Sequence, residues 1–219
     1  MTEDSKYNVS TFVKKGMFIT FEGPEGSGKT THIRLLASFL GKRGRHVLVT
    51  REPGGSGLAQ VFRRLLLDTG DGLVPLAELF LYEADRAQHV EETILPALKK
   101  GHIVLCDRFT DSTVAYQGYG RRLDMKEIQI LNGIASNGLV PSLTVLLDVP
   151  VERGLALARR KKNRHDRLER AGLTFHQRVR EGFLALAIRE PKRFRVIKQQ
   201  KTIEQTQVLI RKCVNDELV

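Results

Sequence analysis

Five short apolar runs alternate along the chain with longer segments in which apolar residues recur at helical spacing. The runs are MFITFE (17–22), HVLVT (46–50), HIVLCD (102–107), LTVLLD (143–148) and FRVIK (194–198). Four of them are apolar almost throughout, as expected of strands that are buried on both faces of a parallel sheet. The segments between them predict helices over about 29–42, 58–68, 76–100, 111–118, 124–137, 151–161, 173–189 and 202–215. This alternation predicts an α/β fold: a five-stranded parallel sheet with helices on both faces.

The length and composition predict one domain. The chain has 219 residues, long enough for a substantial core, and shows no internal repeat or low-complexity linker. Residues 1–16 are polar and of mixed charge, so we expect a flexible extension before a single domain over 17–219. No apolar run approaches the ~18 residues of a membrane span. The only cysteines, Cys106 and Cys213, form no CxxC pair, and we expect Cys106 to be a buried, inert thiol in a cytoplasmic protein.

The net charge of +11 predicts an anionic partner. Nucleotides and nucleic acid both fit, and charge alone does not choose between them. Much of the excess lies in one segment, ARRKKNRHDRLER (158–170), which begins one helix after the fourth strand. A segment in that place can fold back over the ends of the strands.

The sequence GPEGSGKT (23–30) follows a predicted strand, opens a predicted helix and satisfies the P-loop pattern GxxxxGK[ST]. Its glycines allow successive backbone N–H groups to point at phosphate oxygens, and the helix N-terminus adds partial positive charge. Lys29 is expected to bridge the β- and γ-phosphates, and the hydroxyl of Thr30 to hold Mg²⁺. The predicted ATP-binding residues are Gly23, Pro24, Glu25, Gly26, Ser27, Gly28, Lys29, Thr30 and Thr31.

A second anion site is predicted after the second and third strands. TREPGGSG (50–57) and CDRFTDSTVAYQG (106–118) follow those strands, and ligands of open α/β sheets bind outside the carboxyl ends of strands. Arg51 and Arg108 are the candidate phosphate ligands. A hydroxyl, an aromatic ring and an amide share one face of the next short helix and form a candidate base or sugar pocket; these are Ser112, Tyr116 and Gln117.

Kinase chemistry fits this pattern better than hydrolysis. The chain lacks an NKxD-like base-reading sequence, which argues against a switch GTPase. Asp107 is followed at once by Arg108, a pair better suited to a second phosphate than to a water. The alternatives are another P-loop nucleoside monophosphate kinase or a P-loop ATPase that binds nucleic acid through its basic segment. For the latter we find no helix-turn-helix, stacking platform or aromatic-interleaved basic patch.

FEGPEGSGKTT, TREPGGS, DRFTDSTVAYQG and DRLERAGLTFHQRVREGF, in this order, resemble the bacterial thymidylate kinases from about residue 17 to the C-terminus. The resemblance implies a P-loop kinase that transfers the γ-phosphate of ATP to dTMP with Mg²⁺, for dTTP supply. It also implies a homodimer in the cytoplasm, with neither nucleic acid nor membrane as a partner.

The resemblance also implies residue roles. Lys29 and Arg108 would be catalytic, and Arg108 would hold the dTMP phosphate with Arg51 nearby. Thr30 and Asp107 would support Mg²⁺. The residues near the nucleoside would be Glu25 at the 3′-hydroxyl, Tyr116 at C2′, Arg86 at thymine O4, Ser112 and Gln117 near the base, and Tyr82 where the family usually stacks a phenylalanine.

The family divides by the location of a catalytic arginine. One type carries it directly after the acidic P-loop residue, and here that position is Gly26. The chain therefore resembles the second type, whose arginine lies in a mobile lid, here the basic stretch at about 159–170. Arg160 and Arg164 are the leading candidates, with Arg159 and Arg167 as alternatives.

Overall fold

The computed structural model describes residues 16–68, 72–161, 167–168 and 170–218. The first 15 residues of the predicted extension and residues 162–166 of the predicted lid lie outside the described residues.

The five strands form one parallel sheet, as the sequence predicts. They are β1 (Met17–Glu22), β2 (Val47–Arg51), β3 (Ile103–Asp107), β4 (Leu143–Asp148) and β5 (Phe194–Lys198). Their order is β2-β3-β1-β4-β5, so the strand that leads into the P-loop is central. β2 and β3 lie on one side of β1, and β4 and β5 lie on the other, so the strand order reverses direction at β1. Open α/β sheets bind their ligands at such a switch point.

Helices cover both faces of this sheet. They are α1 (Lys29–Gly41), α2 (Ala59–Asp68), α3 (Pro75–His89), α4 (Leu95–Lys99), α5 (Thr110–Thr113), α6 (Met125–Ala135), α7 (Val151–Lys161), α8 (Leu173–Arg189) and α9 (Ile203–Glu217). Within the described ranges, no helix is both long enough and apolar enough to cross a bilayer.

Two predicted helices are less regular than the sequence pattern indicates. The helix predicted over 76–100 contains a π-helical turn, Val90–Ile94, between α3 and α4. Pro96 near the start of α4 has no backbone N–H to donate, and its ring crowds the carbonyl one turn earlier, so the wider turn relieves a conflict. The helix predicted over 111–118 is α-helical only in α5 and continues as a π-helical segment, Val114–Gly120. Such wide turns are frequent at functional sites.

The side chains of the strands alternate between two cores. Ile19 and Phe21 of β1 pack with α1 and α9 on one face of the sheet. Phe18 packs with α4 and the thiol of Cys106 on the other face. Each fully buried aliphatic or aromatic side chain contributes about 1.5–3 kcal/mol by leaving water. Cys106 is fully buried, and this burial raises the pKa of its thiol, in agreement with an inert cysteine.

The register aligns the ends of three strands. Asp107 at the end of β3 pairs with Phe21 of β1 on one side and with Arg51 of β2 on the other. The P-loop, Arg51 and the Asp107–Arg108 pair therefore leave the sheet at one edge.

Candidate active site

One cavity of about 350 Å³ lies at this edge of the sheet. It is bounded by the P-loop, the ends of β2 and β3, α3, and the segment formed by α5 and the following π-helical residues. The predicted site residues that line it are Glu25, Gly26, Gly28, Lys29, Thr30, Thr31, Arg51, Tyr82, Arg86, Asp107, Arg108, Ser112, Tyr116 and Gln117. Residues far apart in sequence thus meet in one cavity large enough for a ligand.

The remaining P-loop residues support Lys29 rather than lining the cavity. The ammonium group of Lys29 donates to the carbonyl oxygens of Gly23 (3.0 Å) and Pro24 (3.1 Å), and to the hydroxyl of Ser27 (3.4 Å). Burial and the nearby charge of Arg108 lower the pKa of Lys29 to about 8. The loop thus encloses its own lysine in a tight ring of oxygens.

Thr30 and Asp107 form an oxygen pair at the start of α1. The hydroxyl of Thr30 donates to Asp107 Oδ2 at 2.7 Å. Among the described residues, no three His, Cys, Asp or Glu side chains cluster as a metal cage. Mg²⁺ does not need one, because it usually binds one or two protein oxygens, substrate phosphates and water. The donor set fits Mg²⁺.

Glu25, Arg108 and Tyr116 form a compact cluster beside the P-loop. Arg108 and the Tyr116 hydroxyl both donate to Glu25 Oε1, at 2.8 Å and 2.7 Å. Burial opposes the charged form of Glu25, but Arg108, Lys29 and the Tyr116 hydroxyl outweigh it and lower the pKa of Glu25 to about 2. Glu25 therefore carries a full negative charge at neutral pH, held against a guanidinium.

Glu22, the last residue of β1, is a site residue that sequence reasoning missed. It is fully buried, and its carboxylate accepts from the backbone N–H of Phe109 (2.7 Å) and the hydroxyl of Ser112 (2.6 Å). One signal was available, since a carboxylate at the end of a buried apolar strand requires polar partners.

Arg86 is held by three segments of the chain besides its own helix. Its guanidinium donates to Glu52 (2.9 Å), Glu83 (2.8 Å), Asn132 (2.6 Å) and Thr113 (2.9 Å). These bonds use four of its five N–H donors within the described residues, which leaves one for a ligand in the cavity. Arg86 is therefore both a buried ion-pair partner and a rigid part of the cavity wall.

Glu78 of α3 is a second buried carboxylate that sequence reasoning missed. It accepts from the amide of Gln117 at 2.7 Å and from Arg121. It also forms an ion pair with Arg167. Arg167, one of the alternative lid arginines, is thus buried rather than exposed.

The other lid candidates are placed differently. Arg159 and Arg160 are exposed at the C-terminal end of α7 and do not line the cavity. Arg164 lies outside the described residues. Ala158, which directly precedes the basic stretch, and Leu168, near its C-terminal end, both line the cavity. These two described residues therefore connect the basic stretch to the cavity wall.

The P-loop packs directly on the first turn of α7. Gly26 has a φ of +69°, and a Cβ placed there would overlap the carbonyl oxygen of Gly154. A Cβ at Gly154 would in turn overlap the carbonyl of Glu25. With the P-loop packed in this way, no side chain fits at position 26. This is the position at which the P-loop-arginine type of the resembled family carries its catalytic arginine.

Fold and cavity together define the class: a P-loop nucleoside monophosphate kinase, with the P-loop and a polar cavity at one edge of the sheet. The sequence profile described as thymidylate kinase matches residues 21–210. The chain belongs to the thymidylate kinase family.

Several curated relatives are similar over most of their length. The chain is 54% identical to the thymidylate kinase of Geobacter sp. (strain M21) over 201 residues, which is 89% of each chain. It is 55% identical over 197 residues to that of Geobacter sulfurreducens, covering 87% of this chain and 92% of the relative. The crystal structure of thymidylate kinase from Ehrlichia chaffeensis superposes with a TM-score of 0.76 at 36% identity, covering 91% of this chain and 98% of that one.

Proposed function

We propose that this chain transfers the γ-phosphoryl group of ATP to dTMP, giving ADP and dTDP. The observation that carries the proposal is the Glu25–Arg108–Tyr116 cluster, which adjoins the P-loop and lines the same cavity. It supplies a cation for an acceptor phosphate beside the site of the donor phosphates. Membership of the thymidylate kinase family supplies the nucleotide.

Donor and acceptor phosphates require positioning and neutralisation more than acid–base chemistry. Lys29 and the P-loop N–H groups would hold the β- and γ-phosphates, while Arg108 and Arg51 would hold the acceptor phosphate. The acceptor needs little help from a base, because the second pKa of a phosphate monoester is about 6 and it is largely ionised at pH 7.

Thr30 and Asp107 would hold Mg²⁺, whose bound charge would neutralise the donor phosphates. Their 2.7 Å contact supports this assignment, since both oxygens lie at the cavity wall.

The nucleoside of dTMP would lie between the P-loop and the π-helical segment. Tyr116 is buried with its hydroxyl on Glu25, in a position suited to crowd a 2′-hydroxyl. Arg86 and Gln117, both almost fully buried, would face the thymine with Tyr82 beside them. Ser112 lines the same wall, although its hydroxyl is already engaged with Arg108 and Glu22.

The basic stretch at about 159–170 would act as the lid of a single kinase domain, with Arg160 or Arg164 reaching the γ-phosphate. The positions of Ala158 and Leu168 at the cavity wall support this role. The burial of Arg167 on Glu78 makes Arg167 a poorer candidate than the other two. An arginine that neutralises the transferring group contributes about 10³–10⁵ in rate.

A direct test of the function is to incubate the protein with ATP, Mg²⁺ and each nucleoside monophosphate separately, and to measure ADP formation. We expect dTMP to give the highest kcat/KM. A higher value for CMP or AMP would refute the thymidylate assignment and retain the kinase. ATPase activity stimulated by DNA, with steep salt dependence, would favour the nucleic-acid-binding alternative.

Glu25→Gln tests the sugar contact. The hydrogen bonds from Arg108 and from Tyr116 both end on Glu25 Oε1. We propose that the other carboxylate oxygen, Oε2, accepts from the 3′-hydroxyl of dTMP. In the wild type, 3′-deoxy-dTMP should bind about tenfold more weakly than dTMP, because a bond to a charged acceptor is lost. In Glu25→Gln the two ligands should bind more equally by calorimetry. An unchanged ratio would contradict the contact.

Gly26→Ala tests the packing of the P-loop on α7. Alanine at this position must adopt the left-handed backbone geometry of Gly26, and its methyl group must displace the carbonyl oxygen of Gly154. We expect kcat/KM for ATP to fall by about tenfold or more. Gly41→Ala is the matched control, since a Cβ at that helical glycine meets nothing within 4 Å. Equal activity of both variants would show that the contact is dispensable.

We also propose that the protein is a homodimer, through an apolar face on α2, α3 and α6. α3 packs against both other helices, so their exposed residues adjoin. The face contains Leu58, Val61, Leu76, Phe80, Ala84, Ala87, Ile130 and Ile134. Phe80 is 52% exposed and Ile130 63% exposed, and exposed apolar patches mark association sites. The same face on a second copy would cover it, as in isologous dimers.

Phe80→Asp should dissociate this dimer, because two carboxylates would then be buried in an apolar interface. Light scattering should give one 24.7 kDa chain for the variant and two for the wild type. Ile188→Asp on α8 is the matched control, since Ile188 is 80% exposed and lies outside this face. A dimeric Phe80→Asp variant would place the interface elsewhere.

The proposed cellular setting is the reducing cytoplasm. Cys106 and Cys213 are both free thiols, which suits a compartment where disulfides are rare.

A further inference from the structure

The carboxylate of Glu22 is buried where two separate parts of the chain meet. Glu22 is 0% exposed at the end of β1, and its partners are Phe109 N at 2.7 Å and the Ser112 hydroxyl at 2.6 Å. Phe109 belongs to the turn that follows β3, and Ser112 lies in α5 directly after it. The carboxylate that pairs directly with Arg108 is Glu25. The hydrogen bonds of the Glu22 side chain therefore go to Phe109 and Ser112 and not to the guanidinium of Arg108.

This turn needs an external hold, because Arg108 has a φ of +75°. Left-handed geometry costs a residue with a side chain about 1–2 kcal/mol. Arg108 N donates to Phe21 O at 3.0 Å, and the next N–H, that of Phe109, donates to Glu22. Two consecutive residues of β1 thus fasten two consecutive N–H groups of the turn.

The guanidinium of Arg108 is connected to Glu22 as well. Arg108 NH1 donates to the Ser112 hydroxyl at 3.2 Å, and that hydroxyl donates to Glu22. NH1 also donates to Gly23 O at 3.1 Å, which leaves the guanidinium held between the P-loop and Ser112. Loss of Glu22 would release both the backbone and one side of the guanidinium.

Keeping a carboxylate here is costly. Burial, and secondly the charge of Asp111, raise the pKa of Glu22 to about 8. Asp111 is in turn held by Arg193, with bonds of 2.7 Å and 2.8 Å. A buried acid that costs stability and touches only the Arg108 turn indicates a role in arranging that turn.

We infer that Glu22 is a positioning residue that holds the left-handed turn at Arg108 and the Ser112 hydroxyl, so that the guanidinium faces the acceptor phosphate. This inference rests on the proposed function, which makes Arg108 the ligand of that phosphate.

Glu22→Gln tests it with little change of shape. An amide has only one oxygen, so the glutamine can accept a hydrogen bond from Phe109 or from Ser112 but not from both. The other partner then faces the NH₂ group. We expect kcat/KM for dTMP to fall about tenfold, because one of the two buried partners, Phe109 N–H or the Ser112 hydroxyl, is left without its hydrogen bond. The KM for ATP should stay within about twofold, since the P-loop contacts remain. A loss shared equally by both substrates, or no loss, would overturn the inference.

A double-mutant cycle with Arg108→Gln shows whether Glu22 acts through Arg108. If it does, adding Glu22→Gln to Arg108→Gln should lower kcat/KM for dTMP by less than about twofold further. If the loss of kcat/KM in the double variant equals the product of the losses in the two single variants, action through Arg108 is refuted.

Asp148→Asn is the matched control, since Asp148 ends the neighbouring strand β4 and binds Arg180 instead. It should leave the KM for dTMP within about twofold of the wild type. If Glu22→Gln does not fold, Ser112→Ala removes the side-chain link alone and should weaken dTMP use by about threefold. Unchanged dTMP use in Ser112→Ala would then refute the link.

If the wild type prefers another monophosphate, the proposed function fails. The same double-mutant cycle, measured with that acceptor, then decides the role of Glu22.

Discussion

The Lys29→Ala variant is expected to lose about a thousandfold or more in kcat. Lys29 is the only cation that the P-loop sequence itself supplies, and the loop holds its ammonium group with Gly23, Pro24 and Ser27. When ATP binds, this charge would shift to the phosphates and stabilise the transferring group. Removal of one preorganised donor in a water-excluded site costs about 10²–10³ in rate, and a charged donor costs more than a neutral one.

Single-turnover kinetics with saturating ATP and dTMP would measure this loss. Lys42→Ala is the matched control, because Lys42 is exposed just after the last turn of the same helix. The melting temperature of Lys29→Ala should also be recorded, since the lysine bridges three loop oxygens. A folded Lys29→Ala variant within tenfold of the wild-type kcat would contradict the assigned role.

Arg108→Ala is expected to lower kcat/KM for dTMP by about 10²–10³. The change removes the proposed ligand of the acceptor phosphate and leaves the half-buried Glu25 without its ion-pair partner. Truncating one member of a desolvated charge pair typically costs about 2–5 kcal/mol, or about 30- to 4,000-fold, and the expected loss lies within this range. The KM for ATP should change much less, because the variant keeps Lys29 and the P-loop N–H groups that are proposed to hold the ATP phosphates.

Arg122→Ala controls for the backbone of Arg108→Ala. Both arginines have positive φ, 75° and 64°, but Arg122 is exposed and does not line the cavity. Any cost of placing alanine in left-handed geometry is therefore common to the two variants. Wild-type kcat/KM for dTMP in Arg108→Ala would refute the acceptor assignment.

Much of the fold could be predicted from local patterns. Four strand segments are apolar almost throughout and predicted the parallel sheet, and the observed bounds differ by one residue at most. The expected burial on both faces holds for β1, β3 and β4 but not for β2, because it lies at the edge of the sheet. The π-helical turns could not be predicted, because one extra residue per turn barely alters apolar spacing over so few residues. Only the neighbourhood of Pro96 carried a local signal.

The candidate site divides in the same way. The P-loop lies within eight consecutive residues, so its spacing alone identified Lys29 and Thr30. Glu22 and Glu78 escaped notice because their partners lie in segments at least 39 residues away. The basic stretch was recognisable by composition, but its spacing did not show that Arg167 is buried on Glu78.

By itself, the sequence determined the α/β class and the donor loop, because these depend on contiguous residues whose backbone and chemistry are local, while the acceptor was implied by the resemblance to the thymidylate kinases. The tertiary structure decided which carboxylates hold Arg108, Arg86 and Gln117, because such pairs form only where strand register and helix packing bring distant segments together. The tertiary structure also explains why the P-loop contains the acidic residue Glu25. The acid in the phosphate loop is the counterion of Arg108, held at 2.8 Å, and a carboxylate there is stable because that cation comes from the end of another strand.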